Sequence, residues 1–342
     1  MKYLLVIAFL FSLSCKKDKL EQQDPKPTTK KEELVELYDT LLLQAQKIRD
    51  RTTGWIHPEG CDAFIWDGEY AASPKVRGVD MEAAEFKDQP GRFGRRPPPN
   101  CWTPDGANGS KTTWSRDMFV GGLVPWAWLT KDLEALERHA EYGKDNNWKM
   151  GEPLDDGRTV YTPAMIGLLY KAIQGLGGEK SSNAVWGNIY PKGLEDYQAH
   201  LQVKYIWARG EISHTLANPD DKPSKPSGPV QLWNKDQLGL HGIESNSTSP
   251  LEVTKKDGRW RLLSISETMY QRLEEHYKRV PHDAFYAYVW GLYSGDLGPA
   301  IDNTLNGTQG GYVRCGKGNE EKCQLAHRIF VIGQILRKLG EL

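Results

Sequence analysis

The chain has 342 residues, with 44 Lys and Arg against 45 Asp and Glu and a net charge of −1. At 26% charged and 39% hydrophobic residues it has the composition of a globular protein with enough chain for a large core, not that of a disordered or fibrous one. The even charge lacks the basic excess with which a dedicated nucleic-acid binder displaces counterions, so no nucleic-acid partner is expected.

Met1 and Lys2 open the chain, and an apolar run follows from Tyr3 to Leu13. Eleven residues are too few to span a bilayer as a helix. A short positive start, an apolar stretch and small residues make a secretory signal. With Ser14 and Cys15 placed where cleavage would fall, residues 1–14 resemble a bacterial lipoprotein signal peptide. The resemblance implies that Cys15 becomes the lipidated first residue of the mature chain. Lys16 after it implies retention at the outer membrane, with the protein facing the periplasm or the outside. Residues 15–29 are polar and proline-containing and read as a disordered tether. A single domain is expected over 30–342.

Four cysteines remain: Cys61, Cys101, Cys315 and Cys323. An even number in an oxidising compartment suggests two disulfides. Local spacing favours Cys61–Cys101 and Cys315–Cys323, although four cysteines allow three pairings. Zinc would be the alternative, but no CxxC pair is present.

Helix signals dominate the rest. Thr29 and Glu32 form a capping box, and Leu34, Leu37, Leu41, Ala45 and Ile48 recur at helical spacing. A second helix is expected from about residue 115, carrying Met118, Leu123 and Trp126. Thr130 can cap a third, to about 146. Pro163 suits the first turn of a fourth, ended by Gly175 and Gly177. A fifth is expected over 194–207 and a short apolar one over 231–240. Ser264 and Glu267 form another capping box for a helix to about 279. Pro281 starts the next, and the last runs over 323–339 with Leu325, Ile329, Ile332 and Leu336 on one face. Residues 259–265 could be a strand or a helix start. Long irregular stretches are expected at 52–114, 147–161 and 210–230.

Loops of that length in a compact domain are usually functional. If helices alternate between an outer and an inner ring, every long loop falls at one end. That is an all-α (α/α) toroid of helical hairpins with a cleft at the inner helix ends; an irregular bundle would scatter the same loops.

The most suggestive string is Trp114-Ser115-Arg116-Asp117 at the head of the second helix. A helix N-terminus stabilises a carboxylate, Arg can fix it bidentately, and the remaining lone pairs can grip sugar hydroxyls. The string resembles the Trp-x-Arg-Asp motif of the glucoamylase-like (α/α)6 six-hairpin glycosidase superfamily, in motif and in helix order. The resemblance covers four residues. It implies that Arg116 and Asp117 hold a sugar and that the fold carries glycoside hydrolase chemistry. Such hydrolysis needs two carboxyls, one kept protonated and one ionised. Glu152, Asp62 and Asp283 are the candidates for the acid and base, in that order; Asp67, Asp155, Asp156 and Glu211 also lie on the expected loop face. Trp102, Trp114 and Trp148 could stack on sugar rings, and 12 Trp against 8 Phe suits such surfaces. His57, His214 and His282 also fall on that face, with Glu211 near His214. Arg92, Arg95 and Arg96 could grip anionic groups.

The leading expectation is an envelope-anchored glycan-binding lipoprotein with glycoside hydrolase activity, a polysaccharide or oligosaccharide as partner, a membrane reached through the lipid on Cys15, and a monomeric state. A non-catalytic envelope lipoprotein that binds glycan or a protein partner is the alternative. A polysaccharide lyase using a His with Tyr161 or Tyr312 is a third. No cofactor or metal is expected: HExxH, a calcium loop, a P-loop, a Rossmann fingerprint and a GxSxG elbow are all missing.

Overall fold

The computed structural model of the protein describes residues 29–98, 103–104, 111–151, 160–184, 186, 196–217, 253–256, 259–262, 267–307 and 320–342. The protein is all-α. Its described helices are α1 Lys30–Ile48, α2 Ala63–Ala71, α3 Arg116–Met118, α4 Val124–Thr130, α5 Leu133–Asp145, α6 Pro163–Gly175, α7 Asp196–Ala217, α8 Glu267–Arg279, α9 Ala284–Ser294, α10 Gly298–Leu305 and α11 Glu320–Leu339. Two short antiparallel ribbons accompany them, β1 Thr103–Pro104 with β2 Lys111–Thr112, and β3 Val253–Lys256 with β4 Arg259–Leu262. Residues 1–28, with Cys15, and the expected helix at 231–240 lie outside the described residues.

Several helix starts follow the sequence. Thr29 and Glu32 cap α1 reciprocally, and Thr162 caps α6 through the Met165 N–H. Others do not. Thr130 was expected to cap the third helix, but its hydroxyl donates back to the Trp126 carbonyl at 2.8 Å, and Asp132 caps α5 through the Ala135 N–H at 3.0 Å. An Asp two residues later competes better for the free N–H groups. The stretch 52–114, expected to be irregular, contains α2. All nine of its residues are buried, including Asp67 and Glu69, so it has no polar face to betray a helical period. The stretch 210–230 begins inside α7, and α10 was not anticipated. Residues 259–262 are strand.

Between α3 and α4 the backbone widens to a π turn, Phe119–Leu123. Pro125 explains the position. It cannot donate to the Gly121 carbonyl four residues back, and its ring would press on it. The turn also lies against α2. A Cβ on Gly122 would stand 2.4 Å from the Phe64 carbonyl oxygen, so only glycine allows this approach.

Five segments run in the same direction, because their mutual contacts rise in number together. Along α2 and α3–α4, Phe64 meets Trp114, Gly68 meets Gly122, and Ala72 and Leu129 share one cavity wall. Glu59, just before α2, pairs with Lys322 of α11; Glu69 pairs with His327; Pro74 touches Gly333. Trp207 of α7 packs on Phe330 of α11, and Glu211 pairs with Arg337. His200 of α7 faces Phe285 of α9, and Gly210 faces Tyr293. The heads of α2, α3, α9 and α11 thus share one end, and the tails of α2, α4, α7 and α11 the other. Around them α1 packs on α10 and α11, α5 on α4 and α6, and α8 on α7 and α9.

Candidate functional site

The helix heads gather most of the described candidate residues. Arg116 and Asp117 are half-buried at the head of α3. The Ser115 hydroxyl donates to the Asp117 carboxylate, and the Arg116 Nε–H donates to the Val160 carbonyl at 3.0 Å. Ser115 stands at the N-cap of α3 with no side-chain bond to the helix backbone. Asp62 stands at the N-cap of α2, likewise without a bond to the helix, and pairs with Arg95 Nη1 at 2.7 Å. Asp283 caps α9, accepting the Tyr286 N–H at 2.9 Å. Burial raises its carboxyl above the usual range, against the helix N–H bonds and the nearby His327. His57 is buried with its ring against Gly60, and its Nδ1 lies 3.7 Å from the Glu59 carboxylate. Burial holds its pKa below the ordinary value despite Glu59. His282 is exposed at the turn before α9.

Other expected residues are placed elsewhere. Trp114 was expected to stack on sugar, but it is fully buried among Phe64, Phe93 and His139. Its neighbours already cover its faces, which leaves no room for a ligand ring. Trp148 is half-buried and packs edge-on against Tyr170 over Gly143, so it too serves the protein interior. Glu211 pairs with Arg337 and with Lys338, the latter at 2.7 Å, at the tail end. Glu152 and Trp102 lie outside the described residues, as does the side chain of His214. Cys61 and Cys323 are both disulfide-bonded, and Cys101 and Cys315 lie outside the described residues.

Two polar groupings inside the helices were not singled out by sequence. The first is ionic. Glu69 forms ion pairs with Lys204 Nζ at 2.6 Å and with His327 Nδ1 at 2.7 Å, all three side chains being 5% exposed or less. Lys204 also lies over the Trp66 ring, 4.9 Å from its centroid. Burial would raise the Glu69 carboxyl, but Lys204 and His327 outweigh it and hold the group below its usual range. His200, one turn before Lys204, is held well below its ordinary value by burial, then by Lys204 and His327. The second grouping is neutral. Trp114 Nε1–H donates to the Tyr161 hydroxyl at 2.8 Å, and Tyr161 lies 2.8 Å from His139 Nε2. His139 Nδ1 meets the Gly91 carbonyl at 2.7 Å and must carry the proton there, because a carbonyl only accepts. Nε2 therefore accepts from Tyr161. Burial pushes His139 down to about 4 and Tyr161 well above 10.

The ionic grouping had one usable signal: single charges of opposite sign, Glu69 and Lys204, each embedded in an apolar run. Among the described residues, no group of three or more His, Cys, Asp or Glu side chains is arranged to hold a metal ion, and no helix is long and apolar enough to cross a membrane. Compared with known protein families, with curated proteins and with solved structures, the chain shows no match.

Proposed function

We propose that the parallel helices close into an (α/α) toroid and that its helix-head end binds and hydrolyses a glycan, on a lipoprotein tethered to the bacterial envelope through Cys15. The observation that carries this reading is the gathering of Asp62, Asp117 and Asp283 at the heads of three helices that share one end. Helix heads favour carboxylates, and glycoside hydrolysis uses two in different protonation states. Arg116 and Asp117 hold the sugar. Glu152, Asp62 and Asp283 remain the acid and base candidates. Asp283 suits the protonated role, since its carboxyl is raised by burial, and Asp62, paired with Arg95, suits the ionised one. The disulfides of the reading are Cys61–Cys101 and Cys315–Cys323.

One observation favours a non-catalytic glycan binder instead. Asp283 is committed to capping α9 and is buried, which limits its reach. A lyase has less support, because the described Tyr161–His139 pair is sealed in the interior.

A glycan-release screen on purified mature protein tests the proposal, with Asp117→Asn as control. Release by the wild type, lost in Asp117→Asn at an unchanged melting temperature, is the expected result. Glycan binding without release selects the binder. No binding of any glycan, or unfolding of Asp117→Asn, removes the reading. Peptide mapping without reductant is expected to recover the two short-range disulfides.

A further inference from the structure

The helix-head end presents a carboxylate that the sequence did not single out, Glu59. It stands in the turn before α2, where its backbone carbonyl accepts from Arg96 Nη1 at 2.5 Å. Its side chain pairs with Lys322, on the first turn of α11. The neighbouring helix α11 packs on both α2 and α9, and α2 packs on α3. The pair therefore sits between the heads that carry Asp117 and Asp283.

The head carboxylates named so far are each committed. Asp62 is tied to Arg95 at 2.7 Å, Asp117 accepts the Ser115 hydroxyl, and Asp283 is buried and caps α9. Glu59 is held on one oxygen: Lys322 Nζ and His57 Nδ1, the latter 3.7 Å away, both face Oε1. Its side chain is 46% exposed, which keeps the carboxylate open to solvent. Burial would raise the Glu59 carboxyl, but Lys322, and then the residue's own N–H, outweigh it and hold the group below its usual range. At neutral pH Glu59 is therefore ionised, with water at hand. His57 behind it is kept neutral by burial. Glycoside hydrolysis asks for such a carboxylate opposite a protonated one.

We propose that Glu59, in place of Asp62, is the catalytic base of the head-end hydrolysis. The inference rests on the glycan reading above. The Glu59 carboxylate takes a proton from a water while the water oxygen bonds to the anomeric carbon. The glycosidic C–O bond breaks with its electron pair going to the leaving oxygen, which takes a proton from the protonated carboxyl, Asp283 or Glu152. Solvent then removes the proton from Glu59 and returns one to the acid. Direct attack by water inverts the anomeric configuration. Lys322 keeps Glu59 ionised between turnovers, and Asp62 is left to fix Arg95.

Release kinetics of purified mature variants test it, the probes being purified peptidoglycan, lipopolysaccharide core oligosaccharide and a panel of soluble polysaccharides. The wild type is expected to release product of inverted configuration. Glu59→Gln should bind glycan and melt as the wild type does, while release falls at least about a hundredfold. Azide should restore turnover in Glu59→Ala as the glycosyl azide, because an anion attacks the anomeric carbon without a base. Lys322→Met should move the acid limb of the rate upward in pH, since the base loses the cation that keeps it ionised. If the wild type releases nothing from any probe, the glycan reading fails and this assignment falls with it. If the wild type releases glycan and Asp117→Asn does not, the reading stands. In that case a retained configuration, release by Glu59→Gln above about a tenth of the wild-type rate, or loss without azide rescue overturns the assignment alone. Should Glu59→Gln not fold, the Lys322→Met profile decides, and an unmoved acid limb overturns the proposal.

Discussion

Two interiors meet along α2, and they handle polarity in opposite ways. One side holds Phe64 within a box of Phe93, Trp114 and Trp126, where His139 and Tyr161 are neutral and bonded to each other. The other side holds Glu69, ionised against Lys204 and His327. Neutral polar groups need only a hydrogen-bond partner once buried. Buried charges need a counter-charge in good geometry, and losing one partner strands the other. The neutral side should therefore tolerate single changes better than the ionic side.

The largest expected effect tests that difference directly. Glu69→Leu leaves the Lys204 ammonium buried without its counter-ion and should cost about 4 kcal/mol in chemical denaturation. Adding Lys204→Met should recover most of the loss; a double variant whose loss equals the sum of the Glu69→Leu and Lys204→Met losses would mean the pair is not coupled. On the neutral side, acid should do what mutation does on the ionic side. The folded pKa of His139, about 4, lies below its ordinary value of 6.5, so the unfolded chain binds more protons between those pH values. Stability is then full above about pH 6.5 and falls as the pH drops towards 4, by about 3 kcal/mol for this group. His276, also held near 4 by burial, adds in the same sense. Asp67 works against them. Its carboxyl, raised to about 8 by burial, contributes stability below the unfolded value of 3.8 and loses it as the pH rises through 8. Denaturation against pH in an Asp67→Asn background should expose the histidine limb, and a flat profile there would contradict it.

Two smaller effects sharpen the picture. Gly122→Ala drives a Cβ into the Phe64 backbone and should cost about 2 kcal/mol, read from the melting temperature. Tyr161→Phe removes the hydroxyl between Trp114 and His139 and should cost about 1 kcal/mol, because it leaves two buried polar atoms unmet. If that loss equalled the effect of Glu69→Leu, the contrast between the two interiors would fail.

The sequence determined the helical class, the capped starts of α1 and α6, and the head-of-helix position of Arg116 and Asp117. These depend on local spacing and on end groups, which a linear chain displays. It missed α2, because a helix buried on every side has no amphipathic period. It misread Trp114 and Trp148, because indole rings serve a core as well as a sugar platform and only neighbours distinguish the two. It did not show that Glu211 pairs with Arg337 and Lys338, because ion pairs form across helices that the sequence does not order in space. The common direction of the helices and the joining of Glu69 to Lys204 and His327 from residues up to 258 positions apart were decided by tertiary packing alone. Burial and pairing are properties of proximity, and proximity between distant segments is set when the chain closes on itself.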